Sequence, residues 1–444
     1  MGTVPDLNAG ALAPVADEVI IEGLSVRGRL PDALSGMLVR NGPNPYSGAF
    51  TGEGMLNWWP GAAMVHGIQF SPGQPPSYRN RWLRTRAWAQ HFAMADAEDY
   101  PETNPNVNVI RHAASDLALA EGGPPLQLDG DLDTGETPAA LAAGITAHPK
   151  IDPDTGELIW FRSSWAEPYL VYGVMDADGV TTVEQSVPLP AQSPPSGPPM
   201  MHDFAITEQY SLLLDLSVAY DLSLFERGLT IPIRWHDERA ARIGLLRRAG
   251  GDVRWFSISS CFIQHVANAW ETGDGRVVLD AVRYESFLRL EGETFAPDPL
   301  GRLWRFEIDL NSGSVREHEI CAEYIEMPRI NEAHTGRPYR YVYSVLQPTD
   351  QEMRGIAKVD VGNGEIQKWL PPPGDQNSEP VFVPDPDRAD AEDGGWLMFC
   401  TYRAHADSSD VVILDAQNLQ QTIATIPLAR RIPAGFHGAW LPSL

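Results

Sequence analysis

Four histidines stand apart from the other seven in this 444-residue chain. They are His148 in "GITAHPKIDPDTGELIWF", His202 in "PPMMHDFAITEQY", His265 in "SCFIQHVANAWETGDG" and His437 in "IPAGFHGAWLPSL". Each lies at or beside an apolar segment at an expected strand boundary. A charged imidazole is costly to bury there, whereas a neutral, metal-bound ring is not. The rest divide by context. His236, His318 and His405 stand among charges and read as exposed, and His334 lies in a Gly-containing turn. His66 in "AAMVHGIQF" reads as a buried strand residue, and His91 and His112 are left open. Separations of 54, 63 and 172 residues between the four exclude a zinc finger or an HExxH helix, both of which need close pairs. Imidazole suits zinc, copper, iron and nickel alike, so residue type leaves the metal open. Metal-bound histidines hand their second N–H to a carboxylate or carbonyl that fixes the ring. Three glutamates stand alone in apolar or Pro-rich surroundings: Glu121 in "LALAEGGPP", Glu326 in "YIEMPRIN" and Glu379 in "NSEPVFVP". Taken one at a time, each also reads as an ordinary turn or edge residue.

Residues so far apart need an architecture that brings them to one point. A weak unit recurs along the chain: an apolar run, Asp, a few small or polar residues, Gly, and a second apolar run. It appears as "HPKIDPDTGELIWF", "YGVMDADGVTTVEQ", "WRFEIDLNSGSVREHEI" and "IAKVDVGNGEIQKWL", with a looser relative in "VVILDAQNLQQTIATIPL". Each reads as a hairpin, since Asp, Asn and Gly supply the left-handed conformations of tight turns. "GRVVLDAVRYESF" and "PYRYVYSVLQP" alternate like strands, and helical signals are sparse, the best of them, "AQHFAMADAED" and "SLFERGL", both short. Many hairpins in a chain too long for one ordinary core predict an all-β propeller whose inner strands line a common axis. One domain over residues 1–444 is therefore expected rather than three.

Composition narrows the function. With 33 basic and 59 acidic residues the formal charge is −26, which repels phosphate backbones and argues against nucleic-acid binding. Three well-separated cysteines, Cys261, Cys321 and Cys400, offer no CxxC pair and fit a reducing compartment. The N-terminal "MGTVPDLNAGALAPVADEVI" lacks a basic n-region and an apolar h-region, and no stretch reaches the ~18 apolar residues of a spanning helix. A cytoplasmic protein is expected.

Taken together these fragments resemble the carotenoid cleavage oxygenase family over essentially the whole chain. "SGMLVRNGPNP" is similar to the family's entry motif, and "ITAHPKIDPDTGEL", "MMHDFAITEQY", "HVANAWE", "EMPRINEAHTGRPYRYVY", "EPVFVPDP" and "GFHGAWLP" follow in family order. The resemblance implies a seven-bladed β-propeller with loops and short helices capping one face. It implies one non-haem Fe(II) on the axis, ligated by His148, His202, His265 and His437. Glu121, Glu326 and Glu379 would then support His202, His265 and His437 respectively. The implied reaction is scission of a conjugated C=C bond by O2 into two carbonyl products, with no acid–base pair from the protein beyond the iron ligands. One departure is visible: a glycine- and acid-containing stretch similar to "FDGDGMVH" in the family reads "WWPGAAMVHG" here, with Gly61 to Ala63 in place of acidic positions.

Substrate class follows from the same comparison. Relatives that cleave hydroxylated stilbenes are similar to one another in a lysine before the first supporting glutamate and a tyrosine from an upstream strand. Here the lysine position reads Ala120, and the aromatic nearest the tyrosine position is Trp88. A pocket lined by Trp58, Trp59, Trp88 and Phe92, beside Ala120, suits a carotenoid or apocarotenoid recognised by burial and stacking. A stilbene or phenylpropene is the alternative. The segment "YDLSLFERGLTIPIRW" is expected near the tunnel mouth, with Leu224, Phe225, Leu229 and Ile231 as candidates for peripheral membrane contact or, in the competing reading, for packing beneath a cap loop.

Overall fold

A computed structural model describes residues 6–50, 59–192, 196–229, 231–292, 294–349 and 352–443. The described chain is all-β, a succession of antiparallel sheets with two short α-helices, Arg86–His91 and Ser223–Glu226. Ser223–Glu226 falls within "SLFERGL", whereas Arg86–His91 begins before "AQHFAMADAED" and overlaps only its first three residues, Ala89 to His91. The recurring Asp–Gly unit is a hairpin at every position where it was read. Lys150–Ile151 pairs with Leu158–Ser163, Leu170–Met175 with Thr181–Ser186, Arg302–Asp309 with Val315–Arg329, Ile356–Asp360 with Ile366–Trp369, and Ser408–Asp415 with Thr422–Pro427.

The aspartate has one job in all five turns. Its Oδ1 accepts backbone N–H groups two or more residues ahead: Asp154 and Thr155 for Asp152, Asp178 and Val180 for Asp176, Asn311 and Ser312 for Asp309, Gly362 for Asp360, and Gln417 and Asn418 for Asp415. These side-chain bonds replace the ladder bonds that the turning backbone cannot make.

The cores lie between consecutive sheets. The largest apolar cluster joins Phe161 and Tyr172 to Leu213 and Ile243 and on to Leu279 and Phe306, residues from three successive sheets. Leu170–Met175 contributes alternate residues, Leu170, Tyr172 and Val174, as period-2 geometry gives, whereas Tyr210–Asp215, between two sheets, contributes Leu212, Leu213 and Leu214 in succession. At the end of the chain, Gly438–Pro442 pairs antiparallel with Gly36–Pro43, so the last strand completes the sheet that the first long strand begins.

A 15-residue strand, Val315–Arg329, serves two ladders: its first part pairs with Arg302–Asp309 and its last part with Tyr341–Leu346. The pairing is irregular between Glu326 and Arg329, where Met327 takes a left-handed φ of 51°. The three cysteines are free and buried. No helix among the described residues is long and apolar enough to cross a membrane.

Two expectations about exposure need correction. His236 and His318 are half-buried rather than exposed, and burial pulls His236 down to about 4. In the segment 220–235, Leu224 and Ile231 are buried and Leu229 is half-buried. Only Phe225 of the four candidates is exposed, and Leu222 and Trp165 are exposed with it.

Candidate metal centre

Each of the four histidines enters from the edge strand of a different sheet. His148 precedes Lys150–Ile151, His202 precedes Ala205–Ile206, His265 lies within Phe262–Glu271 and His437 precedes Gly438–Pro442; all four strands are the terminal members of their sheets. An edge strand has no ladder partner on its outer side, so side chains at its leading end can face those of other sheets. The four rings meet. Ring centroids are 4.5 Å apart for His148–His202 and His148–His437, 4.9 Å for His265–His437, and 5.2 Å for His148–His265 and His202–His265. One nitrogen from each lies within 4.8 Å of the others.

Three of the rings are held from behind. His202 Nδ1 lies 2.7 Å from Glu121 Oε2, His265 Nδ1 2.7 Å from Glu326 Oε2, and His437 Nδ1 3.0 Å from Glu379 Oε1. A nitrogen against a carboxylate is the donor, which leaves Nε2 as a lone pair aimed inward. His148 Nε2 and His202 Nε2 are 3.1 Å apart, and His265 Nε2 is buried with no protein partner. Two nitrogens each ~2.1 Å from one ion at right angles are ~3.0 Å apart, so the set fits a single metal. Without one, converging lone pairs would repel and a buried polar atom would remain unsatisfied.

The electrostatics favour the neutral form of two of these rings and not of a third. Burial, followed by the neighbouring imidazoles, holds His148 well below the ordinary histidine value. Burial also lowers His437 to about 4, with Glu379 pulling the other way. For His265 burial acts downward, but the charge and hydrogen bond of Glu326 outweigh it and the net shift is upward. Of the three glutamates Glu379 is the most enclosed. Burial raises it, yet Arg329, His437 and Arg40 bring it down to about 2.

The three carboxylates have unequal surroundings. Glu379 lies 3.6 Å from Arg40 Nη1 and 3.5 Å from Arg329 Nη1. The same arginines grip the backbone on either side of His437: Arg40 Nη2 donates to Phe436 O at 3.1 Å and Arg329 Nη1 to Gly438 O at 3.2 Å. Gly438 N–H in turn donates to Glu379 Oε2 at 2.8 Å. Glu326 accepts from Tyr284 Oη at 2.7 Å and from the N–H of left-handed Met327. Glu121 is the open one, its side chain 30% exposed.

Neither Arg40 nor Arg329 was singled out in the sequence. The signal was there in Arg40, a charge inside the apolar run "GMLVRNG" whose side chain is 2% exposed. A buried charge in a strand needs a partner nearby.

A cavity of about 520 Å3 reaches this cluster and is lined by His202, His265 and His437. Its apolar wall includes Trp59, Phe262, Tyr284, Phe287 and Leu288. Phe287 stacks on Phe262 at 4.6 Å and on Trp59 at 6.4 Å, giving flat faces suited to a conjugated chain. Of the expected pocket residues, Trp59 lines this cavity and Trp58 lies outside the described residues. Trp88 and Phe92 do not line it. They pack on each other at 5.3 Å and against Tyr46, Trp82 and Tyr100, around a helix that Thr85 caps. Ala120 is buried beside Glu121 and is not part of the wall either. Phe262 and Phe287 were missed because periodicity cannot tell a cavity-facing aromatic from a core one.

The altered segment near residue 61 packs against the entry motif. Ala63 pairs with Pro43, and a Cβ on Gly61 would come 2.7 Å from Pro43 Cβ. Gly61 O also accepts from Asn104 and Asn106 side chains, so a bulkier residue does not fit here.

Similarity to known proteins runs over nearly the whole of this chain. The family model described as RPE65, retinal pigment epithelial membrane protein, matches residues 12–442. A carotenoid cleavage oxygenase of Mycobacterium tuberculosis is 35% identical, covering 98% of this chain and 97% of its own. Carotenoid 9,10(9',10')-cleavage dioxygenase 1 of Pisum sativum is 31% identical over 97% of this chain and 88% of its own. Among solved structures, cobalt-substituted apocarotenoid oxygenase of Synechocystis superposes with a TM-score of 0.85 at 27% identity, covering 99% of this chain and 98% of that one. The chain belongs to the carotenoid cleavage oxygenase family of oxidoreductases.

Proposed function

We propose that the protein is a non-haem Fe(II) oxygenase that cleaves a conjugated C=C bond of a carotenoid or apocarotenoid. The observation that carries this reading is the convergence of four histidines, three of them backed by glutamates, at one end of an aromatic-walled cavity. His148, His202, His265 and His437 would hold the iron, one ion per chain, within one seven-bladed propeller domain spanning 1–444. Bound there, the iron supplies the site at which dioxygen is activated.

The chain's own part is positional. Glu121, Glu326 and Glu379 keep the imidazoles in one tautomer and orientation. Trp59, Phe262 and Phe287 hold the alkene by burial and stacking, which aligns its reacting bond and excludes water. Both oxygen atoms of O2 end on the two alkene carbons, one each, so the sum is alkene plus O2 to two carbonyls and no external reductant is needed. A lipophilic substrate also requires a route in. Trp165 and Phe225, 5.9 Å apart and exposed together with Leu222, form the membrane-contact face of this reading.

The test is anaerobic purification with metal analysis, then incubation with apocarotenoids in air. Stoichiometric iron and aldehyde release are expected. Each of His148→Ala, His202→Ala, His265→Ala and His437→Ala should abolish both iron retention and turnover. Stoichiometric zinc with no aldehyde release would remove the oxygenase reading.

A further inference from the structure

We propose that Asp203 is a positioning residue that ties together the backbone segments of three of the four histidines. The inference rests on the four-histidine metal reading and adds a residue to it. Asp203 directly follows His202, and its carboxylate is 3% exposed. Oδ1 accepts from Lys150 Nζ at 2.6 Å, and Lys150 lies two residues after His148. Oδ2 accepts from the backbone N–H of Val266 at 2.8 Å, and Val266 directly follows His265. Oδ1 also accepts the N–H of Phe204 at 2.7 Å, which fixes the carboxylate's rotation. One buried side chain therefore spans His148+2, His202+1 and His265+1.

The local backbone explains why the link exists. Pairing of Phe262–Glu271 with Arg276–Tyr284 shifts register on both sides of Val266, so this stretch departs from a regular ladder around His265. Such an irregularity re-aims a side chain but leaves backbone groups in need of other partners. The carboxylate of Asp203 takes one of them. A second link runs alongside: Thr146 Oγ1 donates to His202 O at 3.2 Å and accepts from His148 N–H at 3.1 Å. The position of His265 relative to His148 and His202 thus depends on charge-assisted bonds through Asp203, which are shorter and stronger than neutral ones. The fourth ligand is held separately, by Arg40, Arg329 and Glu379.

The test loads purified protein with Co(II) and records the visible ligand-field spectrum and the dissociation constant by competition with a chelator. Asp203→Asn must turn an amide NH2 toward one of two donors, Lys150 Nζ or Val266 N–H, so one of the two ties breaks. Lys150→Met removes the ion pair at a half-buried site, and Lys150→Arg restores a donor. We expect Asp203→Asn to weaken Co(II) binding by roughly 10 to 100-fold and to change the spectrum. Lys150→Met should do so to a smaller extent, with recovery in Lys150→Arg. Should Asp203→Asn fail to fold, the lysine pair decides alone. Wild-type spectrum and affinity in Lys150→Met, or a Lys150→Arg that does not recover, would overturn the proposal. A wild-type protein that binds no Co(II) would instead defeat the underlying metal reading.

Discussion

Removing Glu121 and removing Glu379 should have different consequences, although each supports one histidine. Glu121 is partly exposed and its ring partner is His202 alone, so Glu121→Ala should weaken metal binding by roughly 10 to 100-fold and leave the melting temperature of the metal-free protein nearly unchanged. Glu379 lies between Arg40 and Arg329 and is 1% exposed. Glu379→Ala leaves two buried guanidinium groups without their counter-charge, at a cost of about 3–5 kcal/mol in addition to the metal defect. Metal titration and thermal melting of both metal-free variants check this. His66 gives a second test. It hydrogen-bonds Tyr78 at 2.9 Å, and burial first, then Arg40 and Arg430, hold it down to about 3 from an ordinary 6.5. The unfolded chain takes up that proton more readily, so the contribution of neutral His66 is fully present above pH 6.5 and is lost as pH falls from 6.5 toward 3. His66→Gln should make the pH dependence of the unfolding free energy shallower across that window, by up to ~1.4 kcal/mol per pH unit. Residue context picked out the four histidines and noted the three lone glutamates, and the family resemblance supplied the roles expected of them. It marks Arg40 as a buried charge without naming its partner, and it does not reach Arg329 or Asp203, whose partners at the site lie tens to hundreds of residues away.

Loops that bear site residues are set by glycines at close approaches. Gly144, four residues before His148, has a φ of +85°, and a Cβ there would lie 2.3 Å from Gly122 O, in the loop that follows Glu121. Gly144→Ala therefore both strains its own backbone, by about 1–3 kcal/mol, and pushes the Glu121 loop away from the His148 loop. Loss of bound metal together with a lower melting temperature is expected. Gly73→Ala is the control: its φ is +70° but nothing lies within 4 Å, so strain appears without a metal defect. The hairpins were legible because Asp and Gly recur at the turn, where the chemistry is local. Left-handed Met327 and the register shifts around Val266 were not, because an irregular pairing is decided by the partner strand. Trp88 and Phe92 were read as pocket residues for a related reason. Aromatics three and seven residues beyond a capping threonine pack around their own short helix as readily as on a ligand.

At the scale of the whole molecule, the proposed route for a lipophilic substrate rests on the exposed face around Trp165, Leu222 and Phe225. Trp165→Glu with Phe225→Glu should reduce flotation with phospholipid vesicles while metal content stays at the wild-type level, because neither residue touches the histidines; unchanged flotation removes the membrane contact. The apolar run 222–231 was visible in the sequence, but which of its residues face outward was settled by packing that buries Leu224 and Ile231. The pairing of Gly438–Pro442 with Gly36–Pro43 has a further consequence, one of timing. His437 is 289 residues beyond His148, and it reaches the cluster only when Gly438–Pro442 docks on Gly36–Pro43. A folding intermediate that lacks this last pairing can present three imidazoles at most. Capture of an ion by all four would then wait on that pairing, and metal binding by the full set would report that Gly438–Pro442 has docked.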